Sequence, residues 1–411
     1  MVYTRSFVHA KGEDRAMPLL LKVVLSVWEN ASRDQRELAA AREAGFDVLV
    51  MAKGARGDHF KKEDVAGFEV LRFSMTPFGD ARCMMRLNIY LSMIRWTFWI
   101  RRIKPDVISG HDLKALFVAY LSTLRSPRYK RPKLIYDSHE FEIGRNAKRN
   151  RVKKFFFLHL EKFLLSKSVF SIMVNDGIAD RVVQIHKLKT RPLVVRNVPP
   201  YFNLDTQATM DRRKEFLKRL GMPKETFLLM YHGGVVQNRG IETLIHAVTA
   251  TDNTAAIILG NGKPEYVNHL HDMCEKQGIS NRILFLRAVP LSILSEYAGA
   301  ADVGMALIEG ICENHYLSLP NKFFENIQSL TPMIVSGFPE MKRLIDLYEI
   351  GLTVDPESQE DVLSAVNRMQ GDAELYQRFK NNLVQAKEDL CWENEKAALV
   401  AAYRDIYNAF N

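Results

Sequence analysis

Short apolar runs alternate with longer amphipathic stretches along most of this chain. Val23-Val24-Leu25-Ser26-Val27, inside an apolar segment from Met17 to Leu25 that only Lys22 interrupts, reads as a first buried strand. Ser32 to Ala44 has helical spacing, with Ser32 placed to cap it and Gly45 to stop it. Phe46 to Met51, Val107 to Ser109, Leu134 to Tyr136, Val169 to Val174 and Leu193 to Val195 continue the strand series. Asn197-Val198-Pro199-Pro200-Tyr201-Phe202 then breaks the rhythm, and a polar stretch follows to Arg213. Alternation restarts at Phe227 to Tyr231 and runs through Ala255 to Leu259, Ile283 to Leu286, Val303 to Leu307 and Met333 to Val335. Such β-α-β alternation predicts parallel sheets covered by helices on both faces. The interruption predicts two domains, residues 1–200 and 201–394, with a last amphipathic helix over 395–411 that can pack on either, including across to the first.

Candidate chemistry gathers in the second half, in a fixed order. Tyr231-His232-Gly233-Gly234-Val235-Val236-Gln237-Asn238-Arg239-Gly240 comes first, then Ile257-Ile258-Leu259-Gly260-Asn261-Gly262, then Ala301-Asp302-Val303-Gly304, then Ser318-Leu319-Pro320-Asn321-Lys322-Phe323-Phe324-Glu325. Each is a strand end followed by a glycine turn or a helix start, and open parallel sheets bind ligands where strand carboxyl ends meet helix N-termini. The pattern predicts an anion-binding crevice with Arg239, Lys322 and Glu325 as its polar groups, and a helix with Pro320 at its first position.

Composition narrows the class. The chain has 411 residues, 47% of them apolar, enough for two cores. Cys83, Cys274, Cys312 and Cys391 are scattered without C-x-x-C spacing, which argues against a structural zinc site or a disulfide framework and for a reducing, cytoplasmic setting. No secretory leader pattern is recognised at the N-terminus. The net charge of +9 is uneven. Arg82, Arg86, Arg95, Arg101, Arg102 and Lys104 interleave with Ile89, Tyr90, Ile94, Trp96, Phe98 and Trp99. Arg145, Lys148, Arg149, Arg151, Lys153 and Lys154 precede Phe155-Phe156-Phe157-Leu158. Neither stretch can span a hydrocarbon core of about 30 Å. Both fit either surface-charged helices packed on a sheet or helices lying in the headgroup plane of an anionic membrane. No nucleic-acid motif accompanies the charge.

The order Gly-Gly-x4-Arg-Gly, Leu-Gly-Asn-Gly, Ala-Asp-Val-Gly and Leu-Pro-Asn-Lys-Phe-Phe-Glu resembles the GT-B glycosyltransferases of the family-4 type (glycosyl transferases group 1), from Leu20 to the C-terminus and most densely from Leu228 to Val354. The resemblance implies an α/β fold of two Rossmann-like, doubly wound domains facing each other across a cleft. It implies transfer of a hexosyl group from a nucleotide diphosphate-sugar, with retention, to a glycan or lipid-linked acceptor in cell-surface polysaccharide or glycolipid synthesis. Breaking the bond to the diphosphate builds negative charge on the leaving group, so donors fixed on the phosphates should be the main catalytic term. No Asp-x-Asp pair occurs in the chain, so the expected route is metal-independent and without cofactor, using a cation and a helix mouth.

By resemblance, Arg239 takes the place of a diphosphate-binding Lys, and Gly234 stands where the family often has Arg, a loss that Lys322 partly makes good. Glu325 matches the second Glu of the family's E-x7-E motif, which binds ribose hydroxyls; Leu317 stands where the first should be, leaving Glu309, Glu313 or backbone groups to replace it. Gly233, Gly260, Gly262, Val289, Ser318, Leu319 and Asn321 complete the donor side, Val289 at the position that holds the base through main chain. His139, in Tyr136-Asp137-Ser138-His139-Glu140, aligns with the family's reaction-centre histidine. Glu140 is either an acceptor-side base or a salt-bridge partner, and His111 and Asp112 either line the acceptor side or cap the next helix. The alternatives to transfer are a nucleotide-sugar epimerase and a catalytically weak nucleotide-sugar-binding protein on the same fold. The expected partners are the nucleotide-sugar, the acceptor and an anionic inner membrane face in peripheral contact, not nucleic acid.

Overall fold

The computed structural model describes residues 17–26, 28, 32–54, 61–73, 85–127, 130–145 and 150–410, and for 85–87 the backbone alone. Val27, Arg82, Cys83, Lys148 and Arg149, and the side chain of Arg86, lie outside this set. The chain forms two compact units, one running to Arg196 and taking in the residues from Lys396 on, the other Asn197–Glu395.

In the first unit the strands are β1 (Leu19–Val24), β2 (Asp47–Lys53), β3 (Lys61–Val65), β4 (Phe68–Phe73), β5 (Val107–His111), β6 (Lys133–Asp137), β7 (Ser168–Met173) and β8 (Leu193–Val194). Their order across the sheet is β3-β4-β2-β1-β5-β6-β7-β8. All neighbours are parallel except β3 with β4. The helices are α1 (Ser32–Glu43), α2 (Met85–Ile103), α3 (Asp112–Thr123), α4 (Arg151–Leu165) and α5 (Asp176–His186). Strand order reverses between β1 and β5, so right-handed crossovers put α1 on one face and α2 to α5 on the other.

Two expectations need correction. The first strand is Leu19–Val24, inside the Met17 to Leu25 segment read as a buried strand but ending before the Val23 to Val27 run does, and every residue of it is buried, Lys22 included. The β3–β4 hairpin was not anticipated. It turns on Ala66 and Gly67, both at positive φ (54° and 77°), as a two-residue hairpin turn demands. Its outer strand, Lys-Lys-Glu-Asp-Val, carries no apolar alternation because it is a sheet edge with both faces wet.

The second unit has the strands β9 (Phe227–His232), β10 (Thr254–Leu259), β11 (Ile283–Leu286), β12 (Val303–Ala306), β13 (Met333–Ser336) and β14 (Gly351–Val354), all parallel in the order β11-β10-β9-β12-β13-β14. Its helices are α6 (Thr206–Leu220), α7 (Ile241–Thr249), α8 (Pro264–Lys276), α9 (Leu291–Gly299), α10 (Glu313–Tyr316), α11 (Asn321–Gln328), α12 (Pro339–Tyr348), α13 (Gln359–Gly371) and α14 (Ala373–Asp389). Alternate strand residues feed two cores: Leu228, Met230, Ala255 and Ile257 pack with Phe216 and Leu220 of α6, while Leu229, Tyr231, Ala256 and Ile258 pack with Leu244 and Val248 of α7. Burial on both faces is why these strands read as unbroken apolar runs. The last helix, α15 (Trp392–Asn408), belongs from Lys396 on to the first unit, where Tyr403 meets Phe46 and Phe170 edge-on, at ring-centroid distances of 6.3 and 5.9 Å.

Candidate functional site

In the second unit the strand order reverses between β9 and β12, and the donor-side residues collect at the carboxyl ends of those strands. The turn after β9 begins at Gly233 (φ +123°) and ends at Gly240 (φ +67°), which starts α7. A Cβ on Gly240 would lie 2.3 Å from that of Leu307, so only glycine lets the turn close against β12. A Cβ on Gly260 would lie 1.7 Å from the Gly233 carbonyl oxygen, and one on Gly262 2.4 Å from that of Val235. These two glycines therefore first admit the neighbouring loop. Gly234 has open space around its Cβ position, and its carbonyl accepts the Tyr231 hydroxyl at 2.6 Å.

Pro320 stands one residue earlier than expected, at the cap of α11 rather than at its first turn position. Phe323, Phe324 and Ile327 bury one side of this helix completely, each contributing about 1.5–3 kcal/mol by leaving water. Asn326 packs under Gly304, where a Cβ would sit 2.3 Å from its amide. With the helix so anchored, Lys322 is buried beneath the glycine turn. Its Nζ lies 3.5 Å from the Tyr231 ring centroid and 3.7 Å from the Cβ position of Gly233. It makes no hydrogen bond or ion pair among the described residues. Burial, and then the charge of Arg239, push its ammonium well below the usual lysine range, against a weaker pull from Glu325. Arg239 is half-buried and likewise has no ion-pair partner among the described residues.

Glu325 is held by His232, whose Nε2 lies 2.9 Å from its carboxylate. The other ring nitrogen, Nδ1, is buried without a partner, so Nε2–H donates to the carboxylate. Glu309 lies in the loop after β12. Its backbone N–H donates to Asn238 at 3.2 Å, its carbonyl accepts from His315, and its carboxylate accepts from the Gly240 N–H. Burial, with Glu242 and Glu357 nearby, raises its carboxyl. His315 is shifted the other way by burial and by Arg239. Ser318 donates to the His315 carbonyl, Leu319 is buried, and Asn321 accepts from Asn197 at 2.7 Å. Val289 packs on the α6-side core, and the adjacent Ala288 N–H donates to Asn261, tying the turn after β10 to the loop after β11.

In the first unit, His111 ends β5 and His139 follows β6, with their ring centroids 3.7 Å apart and the planes tilted by 32°. His139 Nε2 lies 2.9 Å from Asp137 and 3.4 Å from Asp34. His111 Nδ1 lies 3.0 Å from both oxygens of Asp34. Burial works against the charged form of His139, yet Asp137, with Asp34 behind it, raises the imidazole to about 10. Behind the histidines, Lys22 bonds Asp34 and Glu37 at 2.9 Å and also Asp137, and Arg33 bonds Glu37 at 2.7 Å and Asp137 at 3.1 Å. Asp34, His111, Asp137 and His139 bring ligand-type atoms within 4.8 Å of one another. The Lys22 ammonium already bonds both of those carboxylates, and the Arg33 guanidinium bonds Asp137. Glu140 is a salt-bridge partner, 2.7 Å from Arg145. Asp112, at a positive φ of 64°, accepts the His139 backbone N–H at 3.1 Å.

Sequence reading missed this charge network, and His232 and His315 as well. The one signal for the network was Lys22 inside an otherwise apolar strand.

A glycosyl transferase 4-like domain model matches residues 32–198, and a glycosyl transferases group 1 model matches residues 212–385. The uncharacterized glycosyltransferase MJ1607 of Methanocaldococcus jannaschii is 23% identical over 310 residues, covering 73% of this chain and 75% of that protein. Among solved structures, a sucrose-phosphate synthase from Thermosynechococcus elongatus superposes with a TM-score of 0.76 at 14% identity, over 95% of this chain and all (100%) of that one. Anabaena HepE, solved in complex with UDP and with UDP-glucose, gives a TM-score of 0.70 at 15% identity in the UDP complex, over 96% of this chain and 100% of that one. With the two family models in series on two parallel-sheet units, the chain belongs to the group 1 glycosyltransferases of GT-B fold.

Proposed function

We propose that this glycosyltransferase takes a nucleotide diphosphate-sugar, grips its diphosphate without metal or cofactor, and transfers the sugar with retention to a glycan or lipid-linked acceptor of cell-surface polysaccharide or glycolipid synthesis. The observation that carries the reading is Lys322, a buried ammonium over the Tyr231 ring that has no hydrogen-bond or ion-pair partner among the described residues, near Arg239, a second cation without an ion pair among them, at a glycine turn. A buried ammonium that feels a second cation more strongly than the nearby Glu325 is costly unless an anion completes it. Leaving-group charge grows on that anion during transfer, so the same cations serve catalysis. Glu325, oriented by His232, is placed to accept from ribose hydroxyls, and Glu309 takes the sugar-side role. By the family's pattern His139 takes a role on the substrate, with the His111 ring 3.7 Å from its own and Asp112 accepting its backbone N–H. Neither the family models nor the relatives point to an epimerase.

Thermal shift against UDP-, GDP- and ADP-sugars tests the donor. A matching donor at 100 times its Kd adds about 2.7 kcal/mol, several degrees. The shift is expected to be the same with EDTA as with magnesium. A shift that appears only with magnesium overturns the metal-free grip. The anomeric configuration of the product, read by NMR, decides retention.

Peripheral membrane contact has its own support. On α2, Tyr90, Ile94 and Phe98 form an exposed i, i+4 stripe that continues to Arg102, whose guanidinium sits 4.7 Å over the Phe98 ring. On α4, Val152, Phe155, Phe156 and Phe163 are exposed among Lys153, Lys154 and Lys162. The packing on a sheet that sequence alone allowed uses other positions of α2: Trp96 and Ile100 are buried, Trp96 with its ring 5.8 Å from that of Phe73 on β4. Among the described residues no helix is long and apolar enough to cross a membrane. The protein is expected to sediment with anionic vesicles at low salt and not with neutral ones; absence of both removes the membrane from the proposal.

A further inference from the structure

The charge network under His139 carries an inference about how that histidine acts. It rests on the reading that His139 meets the substrate. Lys22 and Arg33 supply two permanent positive charges, and Asp34, Glu37 and Asp137 three negative ones, all in groups no more than 3% exposed. The count is one positive charge short, and an uncompensated buried charge is strongly unfavourable. Two imidazoles can supply it, but their rings are 3.7 Å apart, too close for both to be charged at low cost. His139 faces two carboxylates, Asp137 at 2.9 Å and Asp34 at 3.4 Å; His111 faces Asp34 at 3.0 Å and Asp112 only at 3.9 Å. Two further charged or titratable groups near them have their own settings. Tyr403 lies near Lys22 on the α15 side, and Arg145 answers Asp112, Glu140 and Glu142.

We propose that Asp34, Glu37 and Asp137, only partly balanced by Lys22 and Arg33, are positioning residues that hold one proton on the close histidine pair, on His139, so that its Nε2–H is spent on Asp137 and its Nδ1–H is a standing donor for a substrate oxygen. The shifted imidazole described above agrees with this. A histidine held this way gives hydrogen bonds and charge to the developing anion. It is not the base that deprotonates the acceptor, so that proton leaves by another route.

The test is imidazole NMR on the full chain labelled with 15N-histidine, His139 being assigned by loss of its signal in His139→Gln. His139 is expected to stay doubly protonated from pH 6 to 9. In Asp137→Asn it should titrate near the ordinary histidine value, and transfer activity should fall about tenfold per pH unit above that midpoint, as for loss of one essential proton. His111→Gln, which keeps all three carboxylates and both permanent cations, should leave His139 protonated and guards against misfolding of the first variant. A wild-type His139 that titrates near neutrality, or that is neutral throughout, overturns the proposal. If His139 stays protonated but His139→Gln retains full activity, the proton is where the network puts it and the substrate role of His139 falls instead.

Discussion

Lys322→Met is expected to lower kcat/KM by about 10²–10³, the range for loss of one preorganised donor to a developing anion, while leaving the empty protein equally or more stable. The two halves of this expectation share one cause. The ammonium is buried with an aromatic ring and another cation for neighbours, and its affinity for a proton is well below that of a free lysine. A lysine whose charged form is disfavoured on folding subtracts from stability below the unfolded value of 10.5, where the unfolded chain carries that charge without the penalty. Methionine fills the same volume without charge, which removes the penalty together with the anion site. Steady-state kinetics and a thermal melt on one preparation check both. Unchanged activity would remove Lys322 from the donor site, and a large drop in Tm would mean that the ammonium had a structural partner.

The mirror case is Lys22→Met. The residue type, burial and substitution are the same, but this ammonium is bonded to three buried carboxylates. Removing it leaves them uncompensated, a loss of about 3–5 kcal/mol when one member of a buried ionic group is deleted. For a unit of this size that is a Tm lower by about 10 °C. The pH dependence follows from the shifts. Asp34 and Asp137 are held well below 3.8 and so stabilise the fold above that value, the benefit fading as pH falls further. His139 is raised from 6.5 to about 10 and so stabilises fully below 6.5, the benefit fading as pH rises toward 10. Wild-type Tm should therefore plateau between pH 4 and 6.5 and decline toward pH 10, and Lys22→Met should flatten the profile. A Tm within error of wild type at pH 6 would show that the network is not what holds β1 to α1.

The two lysines also mark where sequence reading succeeds and where it stops. Lys322 could be singled out from a local motif, since a proline, an asparagine, two core phenylalanines and Glu325 fall within one helical turn of it, whereas its burial against the Tyr231 ring shows only in the fold. Strands of the second unit were legible for a related reason, since burial on both faces leaves continuous apolar runs. Lys22 has no such local context. Its partners arrive from residues 34, 37 and 137, and nothing in their spacing predicts that three crossovers bring them together. The β3–β4 hairpin was hidden because an edge strand need not alternate. Pro320 was misplaced by one residue because proline suits both the cap and the first turn of a helix. His232 lay inside a quoted motif, but its bond to Glu325 spans 93 residues and shows only in the fold.

Interlocked turns in the second unit bear on engineering. The turns after β9, β10 and β11 interlock through the Gly260–Gly233 contact, the Val235–Gly262 bridge and the Asn261–Ala288 hydrogen bond. Segments 233–240, 260–263 and 287–290 thus form a single mechanical cassette, and a loop imported alone from a homologue of different sugar preference would arrive without the surfaces it was shaped against. Retargeting this scaffold means transplanting all three together.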